Sequence, residues 1–354
     1  MVPAIPTHHY RRPLDRPRAA ALFAAFFCAD LSGWVQLLVT TWVLLHMTSA
    51  PLLLPLFMTA RSLPRLAVAP FAGALADRAD RLTLYRVSRM LAVAMPVGLA
   101  AAVGGHLPTA PAVLVIGAVG SLVAAIDQPA RRGLLWDMAG PTRLVGSCSL
   151  STGAFHSASA VAPALAVVLT ARLGSSGALA AAAAIAGGAP LALWLVRRLT
   201  GAALPRRPYS EAHPLGGIRY LLSTPRALAL VLLTGLPGLA GRAVAIVVPT
   251  MGGAHLNASL AGTSALASAP GAGAFVAAMG LAAVGDLSDK PRLALACALA
   301  FPAFLLLAAL SNSLYGGAVF LTLSGAAGGS FGTLVSAMLH LQVPDHLRGR
   351  VLAL

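Results

Sequence analysis

The 354 residues carry a formal net charge of +15, yet only 10% are charged and 58% are apolar. A soluble domain has about 25% charged residues, so this composition excludes a chain whose side chains mostly face water. It also argues against reading the basic excess as a nucleic-acid patch, because the arginines sit between apolar runs and not on a soluble fold.

A membrane-spanning helix needs roughly 20 mainly apolar residues, since the hydrocarbon layer is about 30 Å thick and a helix rises about 1.5 Å per residue. In chain order, runs that meet this requirement lie at about 20–46, 52–76, 84–104, 109–130, 144–170, 176–196, 226–250, 260–285, 293–311 and 314–340. They exceed the ~10 residues of a barrel strand and lack its alternating polarity, so the expected class is an all-α integral membrane protein with about ten spans. The stretch after the sixth run holds Pro205, Pro208 and Pro214 among six arginines and reads as a linker. Within it, GIRYLLSTPRALAL is expected to begin as a short amphipathic surface helix. The chain thus divides into an N-terminal six-helix bundle (1–198), a linker (199–225) and an incomplete C-terminal bundle (226–354) of four spans plus the start of an eleventh.

Alternate connections differ sharply in charge. One side would hold Arg11, Arg12, Arg16 and Arg18, then Arg78 to Arg89, Arg131 to Arg143, the linker arginines, and Lys290 to Arg350; the other would hold Arg172 alone. The excess of basic residues marks the first side, with the N-terminus, as cytoplasmic. The first run is too long for the apolar core of a cleavable signal peptide and is expected to serve as its own insertion signal. Cys28, Cys148 and Cys297 are scattered in or beside spans, as small packing residues and not as a disulfide framework or metal site.

A short charged sequence occurs twice at the end of an apolar run: GALADRADR from Gly73 and GDLSDKPR from Gly285. Superposing the glycines also superposes Leu75 on Leu287, Asp77 on Asp289 and Arg78 on Lys290, with Arg81 near Arg292. Recurrence in register suggests two related halves, the build of secondary transporters. A carboxylate at such a place accepts hydrogen bonds from the amide-rich start of a neighbouring helix and pairs with arginines, which would hold the cytoplasmic side shut. A solvated loop that only sets topology is the plainer alternative. Asp127, Arg131 and Arg132, near the end of the fourth run, are candidate members of the same relay or a plain helix-end ion pair.

The segments FMTARSLPRLAVAPFAGALADRADRLTLYRVSRM, IDQPARRGLLWDMAGPTRLVG and VPDHLRGRVLAL resemble the second-to-third, fourth-to-fifth and tenth-to-eleventh connections of the major facilitator superfamily. The branch resembled is the bacterial exporters that include enterobactin exporters and macrolide efflux proteins, and the likeness covers essentially the whole chain. It implies the superfamily's two-bundle fold in a bacterial cytoplasmic membrane, acting as a monomeric exporter of a drug-like or siderophore-like small molecule. Alternating access would be driven by the proton gradient, with no bound cofactor and no nucleic-acid partner. The resemblance also implies that Asp77 meets the start of the eleventh helix and Asp289 the start of the fifth, near Pro141 to Leu144. Two departures stand out: Ala162-Pro163 replaces the Gly-Pro common in antiporters, and the family's last two helices are absent, so the chain is expected to be truncated.

Charges within spans are costly and mark candidate sites. Asp30 and Arg61 both lie roughly 15 Å deep, near the midplane, and are expected to pair. Asp30 is also the best candidate for a protonatable coupling residue; a buried pair that merely orients two helices is the competing reading. Arg65 lies one turn beyond Arg61, Arg242 is placed to meet an anionic substrate group or to snorkel to headgroups, and His156 is a candidate titrating group or a packing histidine.

Two other classes fit less well. No Gly-x-x-x-x-Gly-Lys-Ser/Thr loop occurs, which removes ATP-driven transport through such a loop. Asp77-x-x-Asp80 and Asp286-x-x-Asp289 superficially fit the magnesium sites of membrane prenyltransferases, but the interleaved Arg and Lys residues would compete with the metal, so no metal site or enzyme activity is expected.

Overall fold

The computed structural model describes residues 16–47, 52–105, 109–139, 144–200, 216–233, 235, 248, 260–284 and 289–343, and every regular element among them is a helix. The first, α1 (Arg16–Met47), covers the first apolar run and buries Leu22 and Phe26 in one core cluster and Val35 and Val39, further along the helix, in another. The second run, expected as one span, is instead α2 (Leu53–Ala60) and α3 (Leu63–Arg78), with Arg61 and Ser62 in a turn between them. The cause is Pro64 in the first turn of α3: it has no N–H to give the Ala60 carbonyl, and its ring crowds that carbonyl.

The next helix, α4 (Arg81–Gly104), starts at an N-cap, Asp80, whose carboxylate accepts the Thr83 N–H at 3.2 Å and also the Thr83 hydroxyl. Helix α5 (Thr109–Ala139) continues past the expected end at 130 and carries Asp127, Arg131 and Arg132 within it. Helix α6 (Leu144–Thr200) has 57 residues, about 85 Å at 1.5 Å per residue and nearly three hydrocarbon thicknesses. It is broken at Gly174, where φ 68° and ψ 176° fall in a region open essentially to glycine alone. The Ser176 hydroxyl donates to the Ala100 carbonyl of α4 at 2.8 Å and pins the second segment just after the break.

The expected surface helix is present as α7 (Gly216–Ser223). Its Leu221 is buried with Ala227 of a helical stretch at 225–233 (α8) and with Leu339 and Val343, while the Tyr220 hydroxyl donates to the Gln342 carbonyl at 3.2 Å. Then come α9 (Leu260–Val284), α10 (Lys290–Ala309) and α11 (Leu314–Gln342), the last capped by Ser313, which accepts the Gly316 N–H at 3.1 Å.

Helices α1, α4, α5, α6, α9, α10 and α11 are each long and apolar enough to cross a membrane. Large apolar side chains such as Leu191, Leu299, Leu306 and Val276 point outward, an arrangement suited to lipid and costly in water. Inside, α1 packs along α6, and α4 and α5 close around them over a core that includes Phe26, Tyr85, Leu134 and Leu193. Helix α9 lies between α6 and α11. Gly271 allows its approach to α6: a Cβ there would stand 2.6 Å from the Ala160 nitrogen and 2.8 Å from the Ser159 carbonyl carbon.

Candidate functional site

Phe23, Phe27, Asp30 and Trp34 recur on α1 at spacings of four, three and four residues, which puts them on one face. Asp30 is the acid in that stripe. Both of its oxygens are taken by one guanidinium: Arg131 of α5 donates through Nη1 and Nη2 at 2.8 Å each. The same Nη2 donates to the Ser151 carbonyl of α6 at 3.2 Å, and the guanidinium carbon lies 4.3 Å from the centre of the Phe26 ring. A two-pronged Arg–carboxylate pair with a third acceptor and an aromatic face is the geometry that can hold charge away from water. Arg131 thereby joins α1, α5 and α6.

A second pair lies beside the first. Asp127, one turn from Arg131 on α5, accepts the Ser88 hydroxyl at 2.9 Å and sits 2.6 Å from the Nε of Arg89, both on α4. The Arg89 N–H is close to the oxygen but not aimed along it, so the contact is an ion pair more than a hydrogen bond. Tyr85 is one turn before Arg89 on α4. Its ring meets Phe26 edge-on at 5.7 Å and lies under the Arg89 guanidinium, also at 5.7 Å. Tyr85 and Arg89 therefore face Arg131 and Asp127 as rungs between two helices running in opposite directions. Ser88, Asp127 and Arg131 are all buried.

This placement corrects the expected Asp30–Arg61 pair. Depth along the chain matched the two residues, but Arg61 lies in the turn after α2, and Arg131 occupies both oxygens of Asp30. The same turn interrupts the helix between Arg61 and Arg65, so Arg65 does not follow Arg61 by one turn of a continuous helix; it is exposed on α3. Asp127 and Arg131 are brought together with Arg89 and Asp30 well inside the helical bundle, while Arg132, on the other side of α5, is exposed.

Of the repeated motif, Gly73 is buried in α3, and Asp77 and Arg78 form the last turn of that helix, where the backbone alone is described. Arg81 reaches back to the Ala76 carbonyl and across to the Gly133 carbonyl of α5, each at 3.3 Å. In the second copy Asp289 stands at the N-cap position of α10 without a capping hydrogen bond and pairs instead with Arg292 at 3.0 Å on an exposed surface, with Lys290 in the first turn. Gly285, Arg242, the segment 140–143 expected to meet Asp289, and the residues after 343 lie outside the described residues.

His156 lies on α6 where it faces α11: a Cβ on Gly329 would stand 3.4 Å from its Nε2. Its ring meets Phe155 edge-on at 5.3 Å, and Phe155 meets Trp34 of α1 at 5.8 Å. Sequence reasoning uses Arg89 only as a topology marker and does not single out Tyr85 or Ser88. The spacing of four in both 85/89 and 127/131 is the available signal, and it needs the pairing of α4 with α5 to acquire meaning.

Long apolar helices folded around a buried acid–base pair define a multi-pass membrane protein with that pair as its candidate functional site. A sequence model of the Major Facilitator Superfamily matches residues 22–354, and the chain belongs to that superfamily. Its fold is shared with a bacterial homologue of the iron transporter ferroportin solved in an outward-facing state, with TM-score 0.72 at 15% identity over 95% of this chain and 87% of that one. The human organic anion transporter MFSD10 (TETRAN) gives TM-score 0.72 at 17% identity, over 97% and 89% of the two chains. An outward-facing structure of a bacterial ferroportin homologue with soaked iron gives 0.66 at 14% identity over 95% and 87%. No curated protein matches the sequence.

Proposed function

We propose that the chain is a proton-coupled secondary exporter of a drug-like or siderophore-like small molecule, working by alternating access. Its halves would be a six-helix bundle at 1–198 and a C-terminal bundle from 226, joined by the linker at 199–225. The second apolar run would count as one span broken at Arg61–Ser62, and α6 as two, giving about ten crossings. The arginine bias supports a cytoplasmic N-terminus and linker, and the membrane would be the bacterial inner membrane that the exporter resemblance implies. A monomer is sufficient for this scheme.

The observation that carries the reading is the Asp30–Arg131 pair. A carboxylate held by a guanidinium inside a bundle switches between a charged, paired state and a neutral, released one when it takes up a proton. That makes it a coupling element between a proton gradient and packing. The two motif copies would act as cytoplasmic latches at the ends of their helices.

The test uses everted membrane vesicles energised with a proton gradient, with erythromycin and enterobactin as probes. Adding a transported probe should release protons from the vesicle lumen, and Asp30→Asn should abolish that release while the protein remains inserted. Export with unchanged pH dependence in Asp30→Asn would reduce Asp30 to a structural role.

A further inference from the structure

The hydroxyl of Tyr85 is fully buried and has no hydrogen-bond partner. Burying such a group unpaired is costly, so a buried tyrosine that could be phenylalanine calls for a reason. The charges bearing on it are those of Asp127, Arg131, Arg89 and Asp30. The Nε of Arg131 is buried and lacks a hydrogen-bond partner as well. Phe26 sits between the two residues, with one ring face under the Arg131 guanidinium and an edge contact to Tyr85. The Arg131 side chain thus runs across Phe26 to reach Asp30, one turn further along α1.

Protonation of Asp30 would remove both charge-assisted hydrogen bonds from Arg131, and a guanidinium cannot shed its own charge. It must find another acceptor within reach of its stem. On α5 the nearest acid is Asp127, already engaged by Ser88 and Arg89; from α4 comes Tyr85, whose oxygen is unused; α6 offers the Ser151 carbonyl, which holds only one prong, and His156, on which the charge of Asp30 bears.

We propose that the Tyr85 hydroxyl is the second docking place of the Arg131 guanidinium, occupied when Asp30 is protonated, so that Arg131 moves about one turn along the bundle with each proton taken up. The assignment rests on the reading of Asp30 as the coupling acid and adds a positioning residue to it. The unpartnered hydroxyl is then the empty half of a two-position switch, and Asp127 on the same side supplies the negative charge that draws the guanidinium there.

The experiment is a pH titration of the full chain in lipid nanodiscs, tracking the infrared carbonyl band of the protonated Asp30 carboxyl, assigned by its loss in Asp30→Asn. Tyr85→Phe conserves volume and removes only the oxygen. It should shift the Asp30 protonation midpoint to lower pH by about one unit, a tenfold loss of proton affinity, because the protonated state loses its acceptor for Arg131. Thermal stability at neutral pH should be unchanged or higher, since an orphaned hydroxyl is gone. In an Arg131→Gln background Tyr85→Phe should have no effect on the midpoint. A midpoint that ignores Tyr85, or one that moves equally without Arg131, overturns the switch and leaves the coupling role standing. A carboxyl band that titrates in no variant over the stable pH range overturns both.

Discussion

Removing one member of the Asp30–Arg131 pair should be far worse than removing both. In Asp30→Asn the guanidinium keeps its charge but loses two hydrogen bonds of 2.8 Å to a carboxylate, and is left with neutral acceptors such as the Ser151 carbonyl and the Tyr85 hydroxyl. Stranding a buried charge costs about 3–5 kcal/mol in soluble proteins. At roughly 2 °C per kcal/mol for a chain of this size, the apparent Tm should fall by about 6–10 °C. The double variant Asp30→Asn with Arg131→Gln replaces the pair with two neutral amides able to hydrogen-bond each other, and should recover most of that loss. Tm values of the four proteins in one lipid and at one pH form a double-mutant cycle with an expected coupling of about 2 kcal/mol or more. Polar pairs in membranes often give only ~0.6 kcal/mol, because the unfolded chain finds other partners in the bilayer. The two-pronged geometry and burial here argue for the upper range. Single losses that simply add in the double variant would refute the claim that these two residues hold one another.

The seam between α6 and α9 offers a packing test with an internal control. Gly271→Ala places a methyl 2.6 Å from the Ala160 nitrogen and should cost about 1–3 kcal/mol by forcing the helices apart, whereas Gly280→Ala, with open space around it, should leave Tm unchanged. Orientation is checked by an impermeant maleimide on intact cells in a background without native cysteines. Ser175→Cys, next to the break in α6, should label from outside and Ala79→Cys, between α3 and α4, should not; efficient external labelling at position 79 would invert the proposed topology.

The apolar runs are readable because a bilayer imposes a length on any helix that crosses it, and α1, α4, α9, α10 and α11 start and end within a few residues of those runs. Hydropathy averaged over a span's length is blind to the break at Arg61–Ser62, since the many apolar residues on both sides outweigh those two and the interruption comes from the Pro64 ring and its missing N–H. The partner of Asp30 is misjudged for a related reason. Counting residues gives depth but not the direction a helix face points, so Arg61 matches Asp30 in depth while Arg131 faces it. Arg131 is also placed too near a helix end, because its charge and the neighbouring Pro129 make the fourth run look finished at 130. In the folded chain α5 continues to Ala139, with Asp127 and Arg131 satisfied by α4, α1 and α6.

Helix α6 ties the charge network to its seam with α9 and α11. Within three turns it gives the Ser151 carbonyl to Arg131, sets Gly153 against Met279 of α9, turns His156 toward Gly329 of α11, and brings Ser159 and Ala160 against Gly271. An event that releases Arg131 from Asp30 therefore acts on the helix that also forms the contact with α9 and α11. Close packing on the α9 side leaves little room for gradual adjustment, because interdigitated helices shift between discrete arrangements more readily than they deform. On the other side α6 is fastened to α1 over much of its length, through contacts such as the Ser32 hydroxyl to the Ala182 carbonyl at 2.8 Å beyond the Gly174 break. Movement of the first segment of α6 relative to the second would thus concentrate at Gly174, whose backbone geometry other residues rarely adopt. In the alternating-access reading, proton uptake at Asp30 and separation of α6 from α9 are two ends of one lever, and Gly174 is where that lever bends.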